Sequence, residues 1–167
     1  YIASITVDPS APNTIYAGTA HPFTGSNPEH VFKSTDGGSS WTQTSLNAGQ
    51  FSMDFIAINP ARPSQVVAGS SGVLGYLQSV DGGTSWSIIS TSAACGGLNA
   101  IAFAPSGSTI YLASQGGVCR SSDGGTTWSL AGAGGLAASA ILIDPSDPAT
   151  IYAGTTPDLD SGAGGVF

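Results

Sequence analysis

Short apolar and β-branched runs recur along the whole chain, each closed by a Pro, Gly or Asp turn, and no apolar spacing of three to four residues persists long enough for a helix. The runs come in pairs. Ile5-Thr6-Val7-Asp8-Pro9 leads to Thr14-Ile15-Tyr16-Ala17-Gly18-Thr19, and Ile56-Ala57-Ile58-Asn59-Pro60 to Gln65-Val66-Val67-Ala68-Gly69-Ser70. Ile101-Ala102-Phe103-Ala104-Pro105 likewise precedes Thr109-Ile110-Tyr111-Leu112-Ala113-Ser114, and Ile141-Leu142-Ile143-Asp144-Pro145 precedes Thr150-Ile151-Tyr152-Ala153-Gly154-Thr155. A β-rich run stopped at Pro, a short polar turn and a second β-rich run predict a hairpin.

A second recurring element follows these hairpins. Ser34-Thr35-Asp36-Gly37-Gly38-Ser39-Ser40-Trp41 returns as Ser79-Val80-Asp81-Gly82-Gly83-Thr84-Ser85-Trp86 and as Ser121-Ser122-Asp123-Gly124-Gly125-Thr126-Thr127-Trp128, with the Asp residues 45 and 42 positions apart. One repeat therefore holds four strands: two in the hairpin, a third entering the Asp turn and a fourth leaving it through the Trp. The first strands are apolar with small residues between, as expected of strands covered on both faces. In the turn, two glycines supply left-handed backbone, the carboxylate accepts hydrogen bonds from turn amides, and the Trp is expected to lay its ring on the adjacent sheet with its indole N–H near the polar turn. All three roles are structural.

Four-stranded repeats of about 42 residues predict an all-β chain of β-propeller blades, each an antiparallel sheet. The blades span about 1–47, 48–92, 93–132 and, in part, 133–167 of a single propeller segment. Three blades and a partial fourth fall short of the four to eight that close a ring. The expectation is a propeller completed by the rest of a longer chain or by another copy. Blades one and four share long loops after the hairpin, which suggests a unit repeating every three blades.

Composition narrows the partners. Only 8% of residues are charged and the net charge is −7, with Lys33, Arg62 and Arg120 as the lysines and arginines. Such a surface offers no footprint for phosphates, which argues against nucleic acid and anionic membranes. No apolar run reaches the roughly 18 residues of a membrane helix. Cys95 and Cys119 admit a disulfide, a metal pair or two inert thiols; the Ser-, Thr- and Gly-rich, Lys-poor composition looks extracellular and favours the disulfide. Neither a cofactor nor a metal is implied by any motif, and no Gly-x-Ser-x-Gly, HExxH, Walker or dinucleotide pattern occurs.

The three octets resemble the Asp-box, or bacterial neuraminidase repeat, and the paired runs resemble the sortilin-like and xyloglucanase-like propellers. The resemblance covers nearly the whole chain and implies the propeller fold. It permits many functions, since such proteins include sialidases, xyloglucan hydrolases, sorting receptors and photosystem assembly factors. Sialidase activity is not expected, because the ring of arginines that the family resemblance implies has no counterpart: Arg62 falls in a turn on the opposite face and Arg120 aligns with Lys33 and Gln78.

Strand direction places the Asp turns on one face and the remaining loops, where a propeller binds ligands, on the other. The loop face carries His21, Phe23, Glu29, His30, Tyr76 and Asn99 as candidate binding residues, with carbohydrate as a candidate ligand, and its few aromatics are Phe23, Phe51 and Tyr76. Asp54 is the candidate catalytic carboxylate of a glycoside hydrolase, because its column otherwise reads Ala3, Asn99 and Ser139; Glu29 is a candidate second acid. His21, Glu29 and His30 as metal ligands, and Asp158-x-Asp160-x-Gly162 as a calcium loop, are weaker readings than polar loops. The expected function is an extracellular structural or binding scaffold, for carbohydrate or for self-assembly; the alternative is part of a xyloglucanase-like hydrolase.

Overall fold

The structure is a computed structural model that describes residues 1–20, 29–46, 52–132, 134–156 and 165–166. Among them, every regular element is a strand: β1 (Ile2–Val7), β2 (Ile15–Thr19), β3 (Val31–Ser34), β4 (Thr42–Gln43), β5 (Phe55–Ile58), β6 (Val66–Gly69), β7 (Tyr76–Ser79), β8 (Ser87–Ile89), β9 (Leu98–Phe103), β10 (Ile110–Ser114), β11 (Gly117–Ser121), β12 (Ser129–Gly132), β13 (Ala138–Ile143) and β14 (Ile151–Thr155). β1 to β4, β5 to β8 and β9 to β12 form three four-stranded sheets in sequence order, and β13 pairs with β14. All pairings are antiparallel, so each sheet is a blade whose strands follow one another outward. The start of a further strand is present beside β14, where Val166 bridges Gly154 as Val31 pairs with Gly18 in the first blade.

Three of the four hairpin turns are closed by a side chain at the end of the first strand, and the turn after Ala104 by backbone hydrogen bonds, Ala104 N–H to Thr109 O at 2.9 Å and Gly107 N–H to Ala104 O at 2.8 Å. Asp8 Oδ1 accepts from the Ser10 and Ala11 amides at 2.8 and 3.2 Å, and Asn59 Oδ1 from the Ala61 amide at 3.0 Å. Asp144 does the same for Ser146 at 2.8 Å, and this contact with the Ser146 hydroxyl and amide holds its carboxyl below the usual range.

The chain divides into two compact units, Tyr1–Ser70 with Tyr76–Ile89, and Ser71–Gly75 with Ser90–Phe167. In the first, Tyr16, Val31, Met53, Ile56, Val66 and Ala68 are buried in one cluster, with Trp86 packed on it. The cluster is tight at Gly18, where an added Cβ would lie 2.5 Å from Met53 Cβ and 2.8 Å from its carbonyl oxygen. In the second, Tyr111, Ala113, Val118, Ala138, Ile143 and Ala153 form the corresponding core. There the turn residues 71–75 are tied in by Gly72 N–H to Leu98 O at 2.7 Å and Leu98 N–H to Val73 O at 3.0 Å.

Two-sided coverage holds for β5, which is buried along most of its length, but not for β1. Ile5 and Val7 are 64% and 49% exposed. The sequence pattern of β1 is that of a covered strand, yet among the described residues one of its faces has no apolar neighbour.

Candidate functional site

Each Asp turn is a closed hydrogen-bond system. In the first, Ser34 Oγ donates to Asp36 Oδ1 at 2.8 Å and accepts from the Gly38 amide at 2.9 Å. Ser40 supplies both its amide, at 2.9 Å to Asp36 Oδ1, and its hydroxyl, at 2.5 Å to Oδ2. Ser79, Asp81 and Ser85 repeat this arrangement, as do Ser121, Asp123 and Thr127. The donors, above all the hydroxyl of Ser40, Ser85 or Thr127, hold the three carboxyls down at about 2. A carboxylate so held is a poor general acid or base at neutral pH. Both turn glycines are left-handed in all three copies, with φ between 68° and 98°.

The tryptophans show the two expected contacts in different copies. Trp41 is 40% exposed and bends back on its own turn, its indole N–H donating to Gly38 O at 3.1 Å. Trp128 does the same with Gly125 O at 3.0 Å. Trp86 packs on the core cluster of the first unit, and its indole nitrogen is buried without a hydrogen-bond partner among the described residues. The ring therefore serves the turn first and the neighbouring sheet only where apolar surface is available.

The loop-face candidates do not assemble into one described site. His21, Phe23, Phe51, Asp158 and Asp160 lie outside the described residues. Glu29 is 3% exposed and its Oε2 accepts from Thr19 Oγ1 at 2.5 Å, so it anchors the start of β3. His30 is half-buried, with Nδ1 3.0 Å from Gln43 Nε2 and its ring edge-on to Phe32. Tyr76, expected as a surface contact, is 2% exposed, and burial pushes its phenol up to about 12. Its place at the start of β7 explains the difference: side chains alternate across the strand, and Tyr76 takes the inward position. Asn99 is also engaged internally, donating through Nδ2 to Ala138 O at 2.7 Å. Among the described residues no three His, Cys, Asp or Glu side chains are grouped to hold a metal.

Asp54 stands half-buried just before β5. Its column has a structural meaning that spacing alone hid: the pairing register shifts past Ala3 in β1, past Asn99 in β9 and past Ser139 in β13. A bulge re-aims the side chain of the extra residue. Asn99 uses this to reach Ala138 O, and Ser139 Oγ donates to Gly154 O at 3.2 Å.

Cys95 and Cys119 are fully buried and joined, with Cα atoms 5.9 Å apart. The bond ties the segment before β9 to β11 within the second unit.

On the Asp-turn side of the first unit lies a groove of about 400 Å³, lined by Lys33, Thr42, Gln43, Ser45, Gly82 and Thr84. Here Tyr16 Oη and Lys33 Nζ both donate to Gly82 O at 3.0 Å. These two residues were missed as a functional pair; the available signal was the recurrence of Tyr and a cation in the same columns, as Tyr111 and Arg120.

Comparison with known proteins agrees with this geometry. A family model described as photosynthesis system II assembly factor YCF48 matches residues 5–144. Among solved structures, a GH74 enzyme of Niastella koreensis aligns with 99% of this chain and 28% of its own at 24% identity and a TM-score of 0.77. The GH74 xyloglucanase of Xanthomonas campestris aligns over the same shares at 19% identity and a TM-score of 0.78. YCF48 bound to D1 peptide aligns with 93% of this chain and 48% of its own, at 16% identity and a TM-score of 0.66. The chain thus spans about a quarter of the length of the GH74 enzymes. No curated protein matches the sequence significantly.

Proposed function

We propose that this chain, which belongs to the family of photosynthesis system II assembly factor YCF48, is part of a non-catalytic binding scaffold that holds a segment of another polypeptide on its propeller blades. The observation that carries this reading is the fate of its carboxylates. Asp36, Asp81 and Asp123 are consumed by their own turns, and Glu29 is buried against Thr19. A glycosidase needs two acids in a cleft, one of them able to hold a proton. The reading is supported by the YCF48 structure that holds a peptide and by a surface rich in Ser, Thr and Gly, which offers neutral hydrogen bonds in place of charge.

The second reading, part of a xyloglucanase-like hydrolase, is favoured by the likeness to GH74 enzymes and by the position of Asp54 in a column of re-aimed side chains. Incubation of the full-length protein with a panel of β-glucans separates the two. The expected outcome is no release of reducing ends; release that disappears in Asp54→Asn establishes the hydrolase instead. We also place the protein in an oxidising, extracytoplasmic compartment, on the buried Cys95–Cys119 bond and the low charge. Alkylation of the unreduced, denatured native protein should then leave both cysteines unmodified.

A further inference from the structure

Each Asp turn holds an Asp-Gly pair: Asp36-Gly37, Asp81-Gly82 and Asp123-Gly124. This dipeptide is especially open to attack on itself, because glycine puts no side chain beside its amide nitrogen. In that reaction the glycine nitrogen bonds to the aspartate Cγ and closes a five-membered succinimide, while the amide hydrogen leaves with the carboxyl hydroxyl as water. Water then opens the ring. Cleavage between the nitrogen and the aspartate main-chain carbonyl leaves isoaspartate, with the chain running through Cβ. No co-reactant but water is needed.

The turn engages both reacting groups elsewhere. In the second copy, Asp81 Oδ1 accepts from Ser79 Oγ and from the Ser85 amide, each at 2.8 Å, and Oδ2 accepts from the Ser85 hydroxyl at 2.6 Å. The nucleophile is held as well, with Gly82 N–H donating to Ser64 O at 2.9 Å. Attack requires the carboxyl to turn toward that nitrogen, which breaks its bonds to Ser85. The other copies engage the same groups: Gly37 N–H donates to Asn13 O at 3.0 Å and Gly124 N–H to Ser108 O at 2.9 Å, and their carboxylates are held by Ser40 and Thr127. The donors also keep the Asp81 carboxyl ionised at neutral pH, and an ionised carboxyl has no hydroxyl to lose.

Gly82 is fixed from the first blade too. Tyr16 Oη and Lys33 Nζ both donate to its carbonyl oxygen at 3.0 Å, with Lys33 Nζ 5.3 Å from the Tyr16 ring centroid. Its amide end and its carbonyl end are therefore both pinned. The turn is closely packed there: an added Cβ on Gly83 would lie 3.0 Å from Thr44 Cγ2, and the Ser45 hydroxyl donates to Thr84 O.

We propose that Asp81-Gly82 is a latent isoaspartate site, held shut by the turn's own serines and by the clasp of Tyr16 and Lys33 on Gly82, and modified only when this turn opens. The test ages the full chain at neutral pH, well below its thermal midpoint, beside a free peptide of residues 79–86. Peptide mapping with electron-transfer fragmentation, which distinguishes isoaspartate from aspartate, gives the rate at each site. Isoaspartate should form at Asp81 at least about tenfold more slowly in the chain than in the peptide. Lys33→Met, alone and with Tyr16→Phe, should raise the Asp81 rate at least about threefold and leave Asp123 at its parent rate, which also shows that the fold is intact. Equal rates in chain and peptide overturn the proposal. So does an Asp81 rate that the substitutions leave unchanged, or raise only together with that of Asp123, because the clasp would then play no part of its own.

Discussion

Asp36, Asp81 and Asp123 are carboxylates whose chemistry the fold alters through their own turns. Their carboxyls are held at about 2 rather than 3.8, so the folded state favours the ionised form. A lowered folded-state value contributes stability that is complete above the ordinary value and is lost as pH falls toward about 2. The thermal midpoint should therefore be flat from neutrality down to about pH 5 and drop between about pH 4 and 2. Asp81→Asn keeps an acceptor but not the charge, so it should lower the midpoint at neutral pH and make the acid drop shallower; scanning calorimetry over that range checks both. A drop beginning above about pH 5 would point to other groups. The same bonds make the most repeated acid in the sequence a poor general acid or base at neutral pH.

At the level of elements, the hairpins and Asp turns are local constructions and were legible as such. Asp8, Asn59 and Asp144 stand before proline and close their own turns, and the paired glycines adopt the left-handed backbone that their spacing demanded. The Cys95–Cys119 bond is different, because it joins segments 24 positions apart. Closing a loop of that length removes freedom from the unfolded chain worth about 3 kcal/mol. Cys95→Ser with Cys119→Ser should lower stability by roughly that amount, read from urea unfolding. Reductant should shift the native protein to the same midpoint and leave the double variant unchanged. The bulge column of Ala3, Asn99 and Ser139 was not legible as bulges, since a register shift depends on the partner strand and leaves no mark on residue type.

For the whole molecule, charge and exposed apolar surface set what it meets. The net charge is −7, and of its cations Lys33 already donates to Gly82 O while Arg120 lies over Tyr111. The protein should give no band shift with duplex DNA even at about 50 mM salt, where electrostatic binding is strong; a shift would expose a basic surface that the chain does not display. Among the described residues, exposed apolar side chains are spread along the chain, with Ile2 and Ile5 on β1, Ile88 on β8, Leu130 on β12, Leu142 on β13 and Tyr152 on β14.

The sequence by itself determined the repeat, the four-strand order and the structural nature of the Asp turn, because each rests on residues close in the chain: β-branched alternation, glycine at left-handed positions, a carboxylate within reach of its own turn. The burial of Tyr76 and the capture of Gly82 by Tyr16 and Lys33 were decided only by the tertiary structure. Those outcomes depend on which surface a neighbouring strand or blade offers. Such surfaces are brought together by chain segments tens of residues apart, as Gly82 is from Tyr16, and no local pattern encodes their meeting.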